Sequence, residues 1–199
     1  MKTNTVMMVV VLLLLGIAVF DPGTTTLAQG EGLTGRTITG TVYFISGRRP
    51  GLSLPFTLII NRITTPDEVS RFNAALQEGK QDELLRSLSS TEAGRIQIGS
   101  NVGVPANAII VTDQGNGQTK ITVLYQRNLR FAELRYGARS TDYPFGYAEM
   151  YVGRGDNEGM LIPAAKVRLR DGNTWEVEDF GTFPARLMGL RVRGRSSVG

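Results

Sequence analysis

The strongest constraint on the fold is the alternation of side chains between Ala165 and Asp179. Val167 and Leu169 alternate with basic residues, and Trp175 and Val177 alternate with acidic or polar ones. Strict alternation is typical of half-buried β-strands. An Asp-Gly-Asn tripeptide, whose residues tolerate left-handed backbone angles, separates the two segments. The stretch therefore predicts an antiparallel hairpin.

The length of the turn determines the register of this hairpin. A two-residue turn would place Arg168 opposite Trp175 and mix the apolar and charged faces. A three-residue turn keeps both faces consistent, because opposed residues of an antiparallel pair share a face and a one-residue slip inverts every side chain. The predicted pairs are Arg168 with Glu176, Lys166 with Glu178, Leu169 with Trp175 and Val167 with Val177.

A third segment, Leu187 to Arg193, repeats the alternation, with Leu190 and Val192 between arginines. If it pairs with the free side of the acidic strand, one face of the sheet becomes a basic–acidic–basic ladder. Cross-strand charge pairs contribute roughly 0.2–1 kcal/mol each, so such a ladder mainly sets register. Burial of Trp175 contributes more, roughly 1.5–3 kcal/mol.

The N-terminal segment has the layout of a secretory signal peptide. Lys2 precedes an uncharged apolar run from Val6 to Phe20, and small residues lead to Ala28. The alternative is an uncleaved membrane anchor, but a spanning helix needs about 20 apolar residues and this run is shorter. We expect residues 1–28 to be removed, leaving no transmembrane segment, and the mature protein to be periplasmic or secreted.

Residues 29–36 are rich in glycine and predict a flexible start, and 37–195 fit a single domain. The sequence contains no cysteine, so disulfides do not stabilise the core. Its 22 basic and 18 acidic residues give a net charge of +4, which is typical of a solvated surface. An exported protein rarely meets nucleic acid, so we expect no nucleic-acid partner. The expected partner is an envelope component or a glycan.

The clearest helical signal begins at Thr65-Pro66-Asp67-Glu68, where Thr65 can cap and Glu68 completes a capping box. Val69, Phe72 and Leu76 then recur at helical spacing. Gln81 to Ser89 predicts a second short helix. This helix pair near 66–89 lies between strand patterns, so we expect it to cover a sheet face or a barrel end.

The rest of the chain predicts strands with polar turns. The fold class is α+β and strand-dominated, with seven to nine mostly antiparallel strands forming a barrel or a sandwich. Asn116-Gly117 indicates a tight hairpin that would pair Ile110 with Val123 on one face. The residues from 129 to 136 fit either a helix or a strand, and we favour a strand. The other predicted strands are 37–45, 54–60, 95–100, 107–112, 120–125 and 143–152.

The sequence contains neither histidine nor cysteine, which excludes Ser-His-Asp and Cys-His catalysis and zinc sites built from those ligands. It has no phosphate-binding loop ending in Gly-Lys-Ser/Thr and no dinucleotide fingerprint. We therefore predict no catalytic residue, no metal site and no cofactor. Enzyme chemistry based on carboxylates, Ser-Lys, tyrosine or an oxygen-ligated metal stays open.

The best candidate for a binding site is an aromatic stripe comprising Tyr143, Tyr147, Glu149 and Tyr151, which share parity along one predicted strand. Aromatic faces stack on sugar rings or hold cations, and a carboxylate can orient a hydroxyl or an ammonium group. The alternative interpretation is a half-buried strand whose tyrosines keep their hydroxyl groups hydrated.

The same stripe supports a second hypothesis, a carboxylate-dependent hydrolase acting on a glycan. Paired carboxylates cleave glycosidic bonds when one has a raised pKa. Glu176, Glu178 and Asp179 are weaker candidates, because their basic partners across the hairpin would lower their pKa values. Asp156 to Gly159 has oxygen ligands but lacks the spacing of a calcium loop, and turn composition explains it better.

Overall fold

The computed structural model describes residues 32–45, 50–77, 81–127, 142–172, 174–179 and 184–194. Within them the chain forms ten strands and two helices, a strand-dominated α+β fold as predicted. The strands are β1 (Thr37–Tyr43), β2 (Ser53–Ile60), β3 (Gly94–Ile98), β4 (Val104–Ala106), β5 (Ala108–Asp113), β6 (Gln118–Gln126), β7 (Phe145–Gly153), β8 (Glu158–Arg170), β9 (Thr174–Asp179) and β10 (Ala185–Arg193). The helices are α1 (Pro66–Gln77) and α2 (Gln81–Ser89).

All strands join one antiparallel sheet in the order β4-β3-β2-β1-β10-β8-β7-β6-β5, with β9 pairing with β8 beside this path. The two end strands, β4 and β5, are consecutive in the chain and separated by Asn107 alone. Ile96 near one end of the path and Val123 near the other belong to the same buried cluster. The sheet is therefore rolled and nearly closed into a barrel. Within the described residues, no helix is long and apolar enough to span a membrane.

Two apolar clusters stabilise the two faces of this sheet. The inner core fills the barrel with inward side chains such as Ile38, Leu58 and Val123, all inaccessible to solvent. The outer core lies between the helix pair and strands β6 to β9, and includes Phe72 and Leu84 from the helices. A strand that is covered on both faces carries apolar residues on both sides. In the other strands, apolar and polar residues alternate.

The C-terminal hairpin has the predicted three-residue turn and register. Arg168 lies opposite Glu176 and Leu169 opposite Trp175, so the prediction is confirmed. Trp175 is half-buried against the outer core, and its indole N–H donates to Asn73 Oδ1 of α1 at 2.7 Å. The hairpin is therefore attached to the helix pair.

The basic–acidic–basic ladder does not form, because β10 pairs with β1 and β8 rather than with β9. Strand β8 is 13 residues long and pairs with two strands along the same edge. Its first half contacts β10 around Leu161, and its second half contacts β9 from Ala165 onward. Thus β9 pairs with only the second part of the β8 edge. The rest of β10 pairs with β1.

Two smaller predictions are wrong. Ile110 pairs with Thr122 rather than with Val123, because the turn after β5 spans more residues than a tight Asn-Gly hairpin. The strand count exceeds the predicted range because the short β4 is separate from β5. The segment 129–136 and the leader lie outside the described residues.

The capping box at the start of α1 is confirmed. The Glu68 N–H donates to Thr65 Oγ1 at 3.3 Å, and the Thr65 N–H donates to Glu68 Oε2 at 2.9 Å. Arg62 adds two hydrogen bonds to the same carboxylate at 2.7 and 2.9 Å. The bonds from Arg62, aided by Thr65, lower the pKa of Glu68 from 4.5 to about 2 despite its partial burial.

Glu68→Gln is expected to lower the free energy of unfolding at pH 7 by about 1–2 kcal/mol. The folded-state pKa of Glu68 is below its ordinary value, so this stabilisation is present above pH 4.5 and is lost as the pH falls toward 2. Urea unfolding of both proteins at pH 7 and pH 2.5 measures the difference. Asp67→Asn, in the same helical turn, is the control and is expected to change stability by less than about 0.5 kcal/mol. A Glu68→Gln deficit of equal size at both pH values would contradict the linkage.

Candidate functional site

The site predicted from the aromatic stripe lies on the outer face of β7. Ala148 and Met150 point into the inner core, so the residues between them face outward. Tyr147 packs into the outer core with 5% of its surface exposed. Glu149 and Tyr151 lie farther along the strand and are half-buried. The strand therefore passes from beneath the helix pair to an open surface.

Three donors surround the Glu149 carboxylate. Both Tyr147 and Tyr151 donate their hydroxyl hydrogens to it at 2.7 Å, one to each oxygen. Lys120 Nζ on β6 lies 2.8 Å from Oε2. Lys120 is paired with Tyr151 across β6 and β7, which brings its ammonium group to this face. The result is a polar cluster of Lys120, Tyr147, Glu149 and Tyr151.

The cluster keeps its carboxylate ionised. Burial alone would raise the pKa of Glu149, but hydrogen bonds from Lys120, Tyr151 and Tyr147 outweigh burial and hold the pKa below 4.5. Burial and the adjacent carboxylate raise the pKa of Tyr151 to about 12. Burial, followed by the charge of Glu149, raises the pKa of Tyr147 as well. Glu149, Tyr147 and Tyr151 therefore each keep one protonation state near neutral pH.

Tyr143 lies apart from this cluster. It precedes Phe145, where β7 begins, and its hydroxyl donates to Glu178 Oε1 of β9 at 2.6 Å. This bond is the main cause of the lowered pKa of Glu178, with Arg168 adding to it. Of the four predicted site residues, the structure joins three and places the fourth at the C-terminal hairpin.

A shallow cavity of about 310 Å³ adjoins the polar cluster. Its lining includes Glu149 and Tyr151 of β7, Glu158 of β8 and Arg186 of β10. Arg186 Nη2 lies 3.5 Å from Glu158 Oε2, and both side chains are more than half exposed. Each carboxylate beside the cavity therefore has a basic partner.

Within the described ranges, acidic side chains do not gather in groups of three or more that could hold a metal ion. Glu178 instead forms an ion pair at 2.8 Å with Arg168, its diagonal neighbour across the hairpin, while Lys166 is its register partner. Asp156 and Asn157 lie in the turn between β7 and β8, and Asn157 Oδ1 accepts from the Gly153 N–H. This bond connects the turn to the end of β7.

Lys120 is the member of the polar cluster that the sequence pattern missed. Its role depends on the register between β6 and β7, and the side-chain parity of one strand does not reveal that register. The signal available was a single basic residue at the start of an apolar strand.

Comparisons with protein-family models, curated proteins and solved structures found no match to this chain.

Proposed function

We propose that the protein is an exported, non-enzymatic binding or structural module of the bacterial envelope. Its expected location is the periplasm or the extracellular space, and its expected partner is an envelope component or a glycan. The leader-like segment from Val6 to Phe20 supports export, and the absence of histidine and cysteine from the sequence supports a non-enzymatic role.

The non-enzymatic role rests on one observation, that hydrogen-bond donors occupy both carboxylate oxygens of Glu149. Its two oxygens receive three donors at 2.7–2.8 Å, and its pKa is lowered. A general acid in glycoside hydrolysis must keep its proton near neutral pH, which requires a raised pKa. Such bonding favours a role for Glu149 in stabilising β6 against β7.

One observation favours the alternative, a carboxylate-dependent hydrolase of glycans. Glu149 and Glu158 line the same cavity, as a pair of catalytic carboxylates would. However, Lys120 neutralises the first and Arg186 lies beside the second. The hydrolase is therefore the second candidate.

A paired assay of binding and turnover separates the two functions. The purified protein and Glu149→Gln are incubated with peptidoglycan fragments, alginate, polygalacturonate and neutral dextran, and the melting temperature and new reducing ends are measured. We expect a melting shift with at least one polymer, because a ligand at 100 times its Kd adds about 2.7 kcal/mol, and no new reducing ends. Turnover that Glu149→Gln abolishes would establish the hydrolase, and no melting shift with any polymer would contradict the binding module.

A further inference from the structure

Among the described residues, no helix packs on one broad face of the barrel. The helices cover β6 to β9, whereas the outer side of the neighbouring strands β3, β2, β1 and β10 faces solvent. Inward residues of these strands, such as Ile38 and Leu58, are fully buried. The alternating residues, among them Thr39 and Thr57, therefore lie on the open side.

This face is positively charged. The four strands contain four arginines and neither aspartate nor glutamate. Arg95 and Arg186 have acidic neighbours, Glu92 at 3.7 Å and Glu158 at 3.5 Å. In the part of the chain that the structure describes, Arg191 and Arg193 form no ion pair. Their side chains are exposed, so their charges are available to a partner.

A β-bulge in β10 places these two arginines on the open face. Ala185 and Leu187 point inward, so uninterrupted alternation would also turn residues 191 and 193 inward. The pairs Thr41–Met188 and Thr39–Arg191 are separated by two residues on β1 and by three on β10. Gly189, with a φ of 61°, supplies the extra residue.

The strand register arranges the side chains in two rows across four strands. Gln97, Thr57, Thr39 and Arg191 form one row, and Arg95, Ile59, Thr37 and Arg193 form the next. Adjacent strands lie about 4.8 Å apart, so each row spans about 14 Å. Thr37 therefore lies between Arg95 and Arg193 in one row, and Thr39 lies beside Arg191 in the other. We call Thr37, Thr39, Thr41, Thr57, Arg95, Arg191 and Arg193 the arginine–threonine face.

We propose that the arginine–threonine face binds an acidic polysaccharide, through carboxylates on the arginines and sugar hydroxyls on the threonines. This inference rests on the proposed binding function and names its surface and its ligand class. Arginine donates two parallel hydrogen bonds to a carboxylate. A bilayer fits less well, because the exposed apolar residues Ile59 and Met188 do not form a continuous apolar patch. Ile59 lies between Arg95 and Thr37, and Met188 lies opposite Thr41.

The test compares polygalacturonate with its fully methyl-esterified form, which has the same backbone without the charges. Polygalacturonate is expected to bind, more weakly as salt rises, and the ester to bind at least about tenfold more weakly. The double variant Arg191→Gln/Arg193→Gln is expected to lose at least about tenfold in affinity. Arg154→Gln/Arg170→Gln removes the same charge elsewhere and is expected to lose less than about twofold. Thermal unfolding confirms that both variants are folded.

Each contrary outcome identifies a different failure. Equal losses in the two double variants, or equal binding of the ester, would overturn the arginine–threonine face and leave the binding function standing. Binding to vesicles containing 30% phosphatidylglycerol, or to duplex DNA, without binding to polygalacturonate would overturn the ligand class. No binding to any envelope polymer would overturn both this inference and the proposed function.

Discussion

Gly94→Ala is expected to lower the free energy of unfolding by about 3 kcal/mol or more, because the new methyl group meets backbone. A Cβ at this position would overlap the Ile59 carbonyl oxygen and lie 3.0 Å from Ile109 Cδ1. Ile59 belongs to a neighbouring strand, whereas Ile109 comes from β5, at the far end of the sheet path. Gly94 therefore lies where the two ends of the sheet approach.

The carbonyl of Ile59 cannot retreat cheaply, because β2 is hydrogen-bonded to β3 through the adjacent pair of Ile60 with Gly94. Urea unfolding followed by tryptophan fluorescence measures the effect. Gly194→Ala is the matched control, since its nearest neighbour is Arg36 Nη1 at 3.5 Å, and a change below about 0.5 kcal/mol is expected. A Gly94→Ala protein as stable as the wild type would contradict the close approach of Ile59 and Ile109 to Gly94 on β3.

Glu149→Ala is expected to lower the free energy of unfolding by about 2–4 kcal/mol. The substitution removes the acceptor for two tyrosine hydroxyls and leaves Lys120, whose side chain is 30% exposed, without its ion pair. The buried Tyr147 hydroxyl is affected most, because water reaches it poorly beneath the helix pair. Urea unfolding at pH 7 gives the value.

Two variants divide this loss into its parts. Glu149→Gln keeps one carbonyl acceptor but replaces the other oxygen with an NH2 donor and removes the charge, so it is expected to cost about half as much as Glu149→Ala. Tyr151→Phe removes one hydrogen bond at the exposed side and is expected to cost about 1 kcal/mol. A Glu149→Ala protein of wild-type stability would show that the polar cluster does not stabilise the fold.

Local patterns predicted the hairpin and the helix pair correctly. The register of β8 and β9 follows from opposed side chains within a few residues of one turn, and the capping box of Thr65 and Glu68 spans a single helical turn. These elements depend on contacts between neighbours in the sequence. Their signals are therefore present in a short window of the chain.

Long-range pairing was not predictable in the same way. Strand β10 pairs with β1, about 150 residues earlier, and the alternation of Leu190 and Val192 fits any neighbour with an apolar inner face. Gly189 was not recognised as a bulge, since a glycine in a strand pattern does not by itself indicate which face of the sheet the next side chains take. The arginine–threonine face depends on both features and therefore became visible only in the folded chain.

The grouping of side chains in the polar cluster was predicted in part. Parity along one strand correctly grouped Tyr147, Glu149 and Tyr151, because they lie within β7. The same argument failed to place Tyr143, since Pro144 precedes the start of the strand and the alternation does not extend across it. Lys120 required knowledge of the neighbouring strand.

The pKa of Glu149 provides the most direct test of the central claim, that its carboxylate stabilises the fold and is not a proton donor in catalysis. Carbon NMR of the glutamate side-chain carboxyl group, titrated on the folded protein, measures this value. Our account predicts a pKa below the ordinary 4.5, as the bonds from Lys120, Tyr151 and Tyr147 require. A pKa of 6 or above, the range of a general acid, would contradict it.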